Sequence, residues 1–334
     1  MRALLVRLSA IGDVVHTLPA LAALHAHGWE AGWLAEPLAR PLLEGNPMLA
    51  RTFAAPAARA FSLGAAGRTL RAVRAEKFDA ALDLQGLWKS ALWARSSGAR
   101  RVIGYARPWR REGASTLLVG ERVAGAPEAV HVIDKNLALL RALGIEAVGT
   151  RVFPLPVALD EAARVDARLA ELGLGPFILL NPGGGWGSKL WPAEKFGALA
   201  AMLREHGLPS LVTWGPGEDG LADRVVAASG GAARRCFATT LLEYVALARR
   251  ARLVVAADTG PMHLAAAVGT PVVALFGPTD PARNGPFAAA DEVVRRAPGC
   301  APCHRRQCPR HEGVMDGIEA GVVAAAALRR LGRS

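Results

Sequence analysis

An α/β fold built from two doubly wound halves is predicted for this chain on three observations. Short apolar runs suited to buried strands alternate with longer helix-compatible, Ala- and Arg-rich segments, the rhythm of βαβ units on a parallel sheet. The rhythm starts twice, at residues 3–7 and again at 177–180, with Pro154 and Pro156 marking a linker between the two starts. The length of 334 residues corresponds to about two domains at roughly 150 residues each. These place the domains at residues 1–160 and 161–334.

Residues 3–7 form the first apolar run, followed by Ser9-Ala10-Ile11-Gly12 as a tight loop and an apolar-periodic helix over 14–24. Asp13 stands at or near that helix's N-terminus. Further strands are expected at 31–35 and 79–84. In the second half, strand 177–180 runs into Asn181-Pro182-Gly183-Gly184-Gly185-Trp186-Gly187-Ser188-Lys189, and a helix opens near Pro192, where proline suits the first turn. Strand 211–214 leads through Gly215-Pro216-Gly217-Glu218 to helix 221–228. Strand 253–256 ends in Asp258-Thr259-Gly260-Pro261-Met262-His263, with a helix from about Leu264. Strand 272–276 closes at Gly277-Pro278-Thr279-Asp280, and an amphipathic helix is expected over 317–331. Ligands are expected between the halves, at the C-terminal ends of the strands.

Composition narrows the function classes. Charged residues make up 21% and hydrophobic ones 51%, ordinary globular usage that excludes a disordered or collagen-like chain. The net charge is +11, and 35 of the 40 basic residues are Arg. Solvated Arg-rich faces account for this, or else an anionic partner does, such as a membrane surface or nucleic acid. Nucleic-acid binding predicts aromatic residues among the basic ones, yet aromatics are 6% and no RRM, KH or zinc-finger signature occurs. We therefore expect no nucleic acid as partner. No apolar run reaches about 18 residues, and Arg7, Asp13 and His16 interrupt the first one, so neither a membrane span nor a signal peptide is expected. Four cysteines fit a reducing compartment, and the cytoplasm is the expected location.

Four constellations could carry chemistry. Asp13 is a helix N-terminal carboxylate, either a simple cap or a general base. The Gly-rich loop ending in Lys189 lets backbone approach a phosphate that an ammonium then neutralises, although the Walker A spacing is not met. Asp258, Thr259, Gly260 and His263 offer N–H groups, a hydroxyl and an imidazole for a diphosphate or sugar hydroxyls, and Glu218 is an acceptor for ribose hydroxyls. Alternatively these are a cap, a core histidine and an exposed loop carboxylate. Cys300-x2-Cys303-His304-x3-Cys308-x2-His311 has metal-binding residue types without the paired spacing of a strong zinc site, so no metal is expected there.

Taken together, Gly12-Asp13-Val14-Val15-His16-Thr17-Leu18-Pro19, Asp83-Leu84-Gln85-Gly86, Lys189-x-Trp191-Pro192, Asp258-Thr259-Gly260-x-x-His263 and Gly277-Pro278-Thr279-Asp280 resemble the bacterial lipopolysaccharide heptosyltransferase family over essentially the whole chain. The resemblance implies a GT-B fold, two Rossmann-like domains facing an interdomain cleft, with the acceptor on the N-terminal domain and the nucleotide-sugar on the C-terminal one. It implies inverting transfer of heptose from ADP-heptose to Kdo-lipid A or a related lipopolysaccharide core acceptor, without a cofactor. Asp13 would be the catalytic base, while Lys189, Glu218, Asp258, Thr259, Gly260 and His263 would bind the donor. Arg111 and His131, in segments that also look like the family's, would contact the acceptor's sugar acid. The opening motif and these two segments are similar to the first-step enzyme. Cys300, Cys303 and Cys308 look more like the second-step one, although Val314 stands where a fourth cysteine would complete that pattern. A lipid-anchored acceptor implies peripheral attachment to an anionic inner-membrane surface, with the Arg excess concentrated in the N-terminal half. A nucleotide-sugar binder without catalysis would keep the same motifs and need no base.

Overall fold

A computed structural model of the protein describes residues 1–57, 62–125, 129–303, 305–308 and 314–332. The chain divides into two compact units, Met1–Val157 and Ala158–Ser334. Each holds a parallel six-stranded sheet.

The first unit runs β1 (Arg2–Val6), α1 (Ile11–Val15), α2 (Leu18–Ala26), β2 (Glu30–Ala35), β3 (Leu49–Ala54), α3 (Leu63–Ala75), β4 (Ala80–Asp83), α4 (Trp88–Ser96), β5 (Arg101–Tyr105), β6 (Glu121–Val123) and α5 (Val132–Leu139), with strand order β3-β2-β1-β4-β5-β6. The strand order reverses at β1, whose neighbours are β2 and β4, and that switch point lies beside Asp13. The second unit runs α6 (Leu159–Glu171), β7 (Ile178–Asn181), α7 (Ala193–Glu205), β8 (Ser210–Val212), α8 (Asp219–Ala228), β9 (Ala233–Arg235), α9 (Leu241–Arg250), β10 (Leu253–Ala257), α10 (Gly260–Ala267), β11 (Val272–Phe276), α11 (Pro281–Asn284), β12 (Glu292–Arg295) and α12 (Ala320–Arg330). Its order is β12-β11-β10-β7-β8-β9, with β7 between β10 and β8.

The central strands β1, β4, β7, β10 and β11 are buried on both faces because helices cover both, so they stand out in the sequence as largely apolar runs, with β4 and β7 ending in the buried Asp83 and Asn181. The edge strands β3, β6, β9 and β12 are half-exposed and carry Arg or Glu, as in Ala233-Arg234-Arg235. The sequence reading found none of these edges, and it also passed over β5. Leu4, Val6, Phe53, Phe78 and Trp93 form the core under α3 and α4 in the first unit. Trp191 and Phe196 meet edge to face in the core of the second, with ring centroids 4.7 Å apart.

Candidate active site

In the first unit, chemistry gathers beyond the C-terminal ends of β1, β4 and β5. Arg7, the residue after β1, is buried. Its guanidinium donates to the Leu84 carbonyl and forms an ion pair with Asp13, while its carbonyl accepts the Trp33 indole N–H at 3.1 Å. Asp13 is the third residue of α1, and its Oδ2 accepts the Ala10 N–H at 3.3 Å. This carboxylate therefore does cap its helix, from the first turn rather than from the cap position. Its side chain is 37% exposed.

A buried network holds α1 in place. The Tyr105 hydroxyl donates to Asn136 Oδ1 at 2.7 Å, and Asn136 Nδ2 donates to the His16 carbonyl at 2.9 Å and Thr17 Oγ1 at 3.1 Å. Thr17 Oγ1 in turn donates to the Asp13 carbonyl at 2.9 Å. Burial pushes the Tyr105 phenol above its ordinary value, so it stays a neutral donor. His131 caps α5, accepting the Ile133 N–H on Nδ1 at 3.2 Å, and its ring meets the His16 ring edge to face at 5.4 Å. The structure thus brings Asp13 and His131 to one end of the sheet.

Arg111 is exposed, and its neighbour Arg110 is the buried one. Arg110 pairs with the fully buried Asp83 and donates to Ser115 Oγ at 2.8 Å. Gly104 makes room for it, since a Cβ there would lie 2.6 Å from the guanidinium. Sequence reasoning missed Arg110 because it stands in an Arg-rich stretch with nothing local to single it out. Arg110→Met would leave Asp83 charged and unpaired in the interior. We expect a loss of about 3–5 kcal/mol of stability, measured by chemical denaturation.

In the second unit, the Asp258 carboxylate at the end of β10 is surrounded by four side chains. Lys189 Nζ and Thr279 Oγ1 meet Oδ2 at 2.6 and 2.7 Å, while Asn284 Nδ2 and His263 Nε2 meet Oδ1 at 2.5 and 3.2 Å. Burial opposes the charge on Asp258, but His263 and Lys189 outweigh it and hold the carboxyl well below the usual carboxylate range. Lys189 also lies over the Trp186 ring, 4.6 Å from its centroid. Sequence reasoning missed Asn284, which reaches Asp258 from the short helix α11.

Glu218 pins the Gly-rich loop, its two oxygens accepting the Gly184 N–H at 2.8 Å and the Gly215 N–H at 2.7 Å. Glycine is required at 183 and 184: a Cβ would fall 1.9 Å from Glu218 Oε2 and 2.6 Å from Thr259 Cγ2, respectively. Thr259 holds the N-cap position of α10 without a side-chain cap, its hydroxyl donating instead to the Ala257 carbonyl at 3.3 Å, and the first helical residue, Gly260, presents its N–H at the helix start next to Asp258. A cation, a helix N-terminus and a glycine loop together suit a phosphate.

Cys236 is buried, which pushes its thiol up to about 12, and Cys300, Cys303 and Cys308 are free thiols in the described segment. His304 and His311 lie outside the described residues. Among the described residues no group of three His, Cys, Asp or Glu could hold a metal.

The sequence profile of glycosyltransferase family 9 (heptosyltransferase) matches residues 66–313. Lipopolysaccharide heptosyltransferase 1 of Pseudomonas aeruginosa is 30% identical over 325 residues, covering 92% of this chain and 87% of that protein. Lipopolysaccharide heptosyltransferase 2 of Escherichia coli is 26% identical, covering 90% and 89%. An E. coli heptosyltransferase solved with ADP has the same fold, with a TM-score of 0.78 at 23% identity over 99% of this chain and 100% of that one. The paired Rossmann-like units are those of a GT-B glycosyltransferase, and the chain belongs to glycosyltransferase family 9, the heptosyltransferases.

Proposed function

We propose that the protein is a heptosyltransferase I: it moves L-glycero-D-manno-heptose from ADP-heptose to the Kdo of Kdo-lipid A, with inversion, at the cytoplasmic face of the inner membrane. The observation that carries this reading is Asp13, a half-exposed carboxylate held by Arg7 at the sheet's switch point. Asp13 takes the proton from the acceptor hydroxyl as its oxygen bonds to the heptose anomeric carbon. The bond from that carbon to the diphosphate oxygen breaks, and ADP leaves with the electron pair. Attack opposite the leaving group inverts the anomeric centre.

Lys189 and the N–H groups at Thr259 and Gly260 stabilise the charge that develops on the diphosphate. Glu218 oxygens each accept one loop N–H and retain a lone pair for a ribose hydroxyl. His263 completes the donor set, and Asp258 acts by keeping Lys189 and His263 in position. Arg111 and His131 take the carboxylate of Kdo. No cofactor, metal or nucleic acid enters this reading. Among the described residues no helix is long and apolar enough to cross a membrane, which accords with peripheral attachment.

Mass spectrometry of products made with ADP-heptose tests it. One heptose added to Kdo-lipid A, and none to an already heptosylated acceptor, is the expected result; the reverse preference identifies the second step, which the Cys300, Cys303 and Cys308 segment favours. Lys189→Ala is expected to weaken ADP-heptose binding about 10- to 100-fold, since a charge-assisted contact contributes about 1.5–3 kcal/mol. Calorimetric titration with the donor alone reads this, and unchanged affinity would remove Lys189 from the diphosphate.

A further inference from the structure

We propose that the outer face of α3 and α4 is the surface by which this protein docks on an anionic phospholipid leaflet. The two helices carry Arg68, Arg71, Arg74, Lys89 and Arg95 and not one acid. Lys89 is paired with Glu36, but the four arginines are exposed. The first acid beyond α3, Glu76, is already engaged by Arg2 and Arg51. The wider balance follows the same direction: residues 1–160 carry 20 basic and 13 acidic residues, a net +7, against +4 for residues 161–334.

Charge alone would equally suit a polyanion such as RNA, and the apolar side chains on this face decide against it. Leu63 is 83% exposed, Leu92 58% and Trp88 46%. Trp88 and Leu92 are four residues apart on one helix and therefore share a face. Helix α3 buries only Val73 of its residues, so most of its surface is left uncovered. Between the helices a pocket of about 560 Å³ opens, lined mainly by the apolar Pro56, Ala66, Leu70, Leu92 and Trp93, together with Lys89 and Ser96. Exposed Leu and Trp ringed by Arg, over an apolar pocket, is the chemistry of a bilayer interface: the guanidinium groups meet phosphates while the apolar side chains enter the acyl boundary. Both helices begin at the C-terminal edge of the sheet, the edge that carries Asp13.

The inference rests on the lipid-anchored acceptor for its purpose, but its test uses neither donor nor acceptor. The full chain is sedimented with vesicles of phosphatidylcholine, with and without phosphatidylglycerol. We expect binding that requires phosphatidylglycerol and weakens with salt. Arg68→Glu with Arg71→Glu should lower partitioning at least about tenfold, as each basic residue near the surface is worth roughly fivefold. Leu92→Ser should lower it too, at unchanged net charge. Arg224→Glu with Arg249→Glu, the same charge change on exposed residues of the second unit, should leave it within about twofold. Thermal unfolding of each variant separates lost docking from lost folding. Equal loss in the control pair, unchanged partitioning of Leu92→Ser, or binding to RNA without binding to vesicles would overturn the assignment. Failure of heptose transfer would leave the vesicle result standing, so the two readings fail separately.

Discussion

Asp13→Ala is expected to lower the turnover of heptose transfer by about 10²–10⁴, the range a positioned general base contributes, while ADP-heptose affinity stays near wild type. In the proposed mechanism the split arises because the carboxylate acts on the acceptor proton while the donor-binding residues belong to the other unit. Two effects need separating, since the buried Arg7 also loses a hydrogen-bond acceptor in this variant, which an Asn oxygen would restore. Asp13→Asn restores the side chain's shape and its hydrogen bond from Ala10 but not its basicity. If the loss comes from the proton, both variants are inactive and both bind donor. If it comes from disturbance around Arg7, Asp13→Asn recovers most activity. Turnover near wild type in either variant would remove Asp13 from the base role.

Asp258→Asn is expected to carry the largest stability cost in the second unit, about 3–5 kcal/mol at neutral pH, because it removes a buried charge on which Lys189 and His263 converge. The cost depends on pH with a definite sign. The folded carboxyl lies well below the unfolded value of about 3.9. Its stabilisation is therefore complete above that value and is lost as pH falls from about 4 towards the folded pKa. Wild type and variant should differ most at pH 7, and the gap should narrow at about pH 3 and below. Urea denaturation at the two pH values checks this, and a gap independent of pH would mean that packing rather than charge holds the site. ADP-heptose binding should fall in the same variant, because Lys189 loses the partner that sets its position.

Much of this was legible along the chain because its signals are local. The apolar runs of β1, β7, β10 and β11, the glycines at 183 and 184, and Pro192 before α7 each reflect a preference settled within a few residues. Asp13 followed by an apolar helix was legible for the same reason. The edge strands escaped because half-exposed segments lack the apolar run that marks a buried strand.

The sequence by itself determined the two βα halves and the motif-bearing loops at their strand ends, since propensity, periodicity and turn chemistry act over short spans. Only the tertiary structure decided that Arg110 rather than Arg111 is buried against Asp83. It likewise decided that Arg7 backs Asp13, and that Thr279 and Asn284 complete the shell around Asp258. Those outcomes depend on which charges lose water and which distant partners replace it. Desolvation and pairing are properties of the packed fold, not of neighbouring residues in the chain.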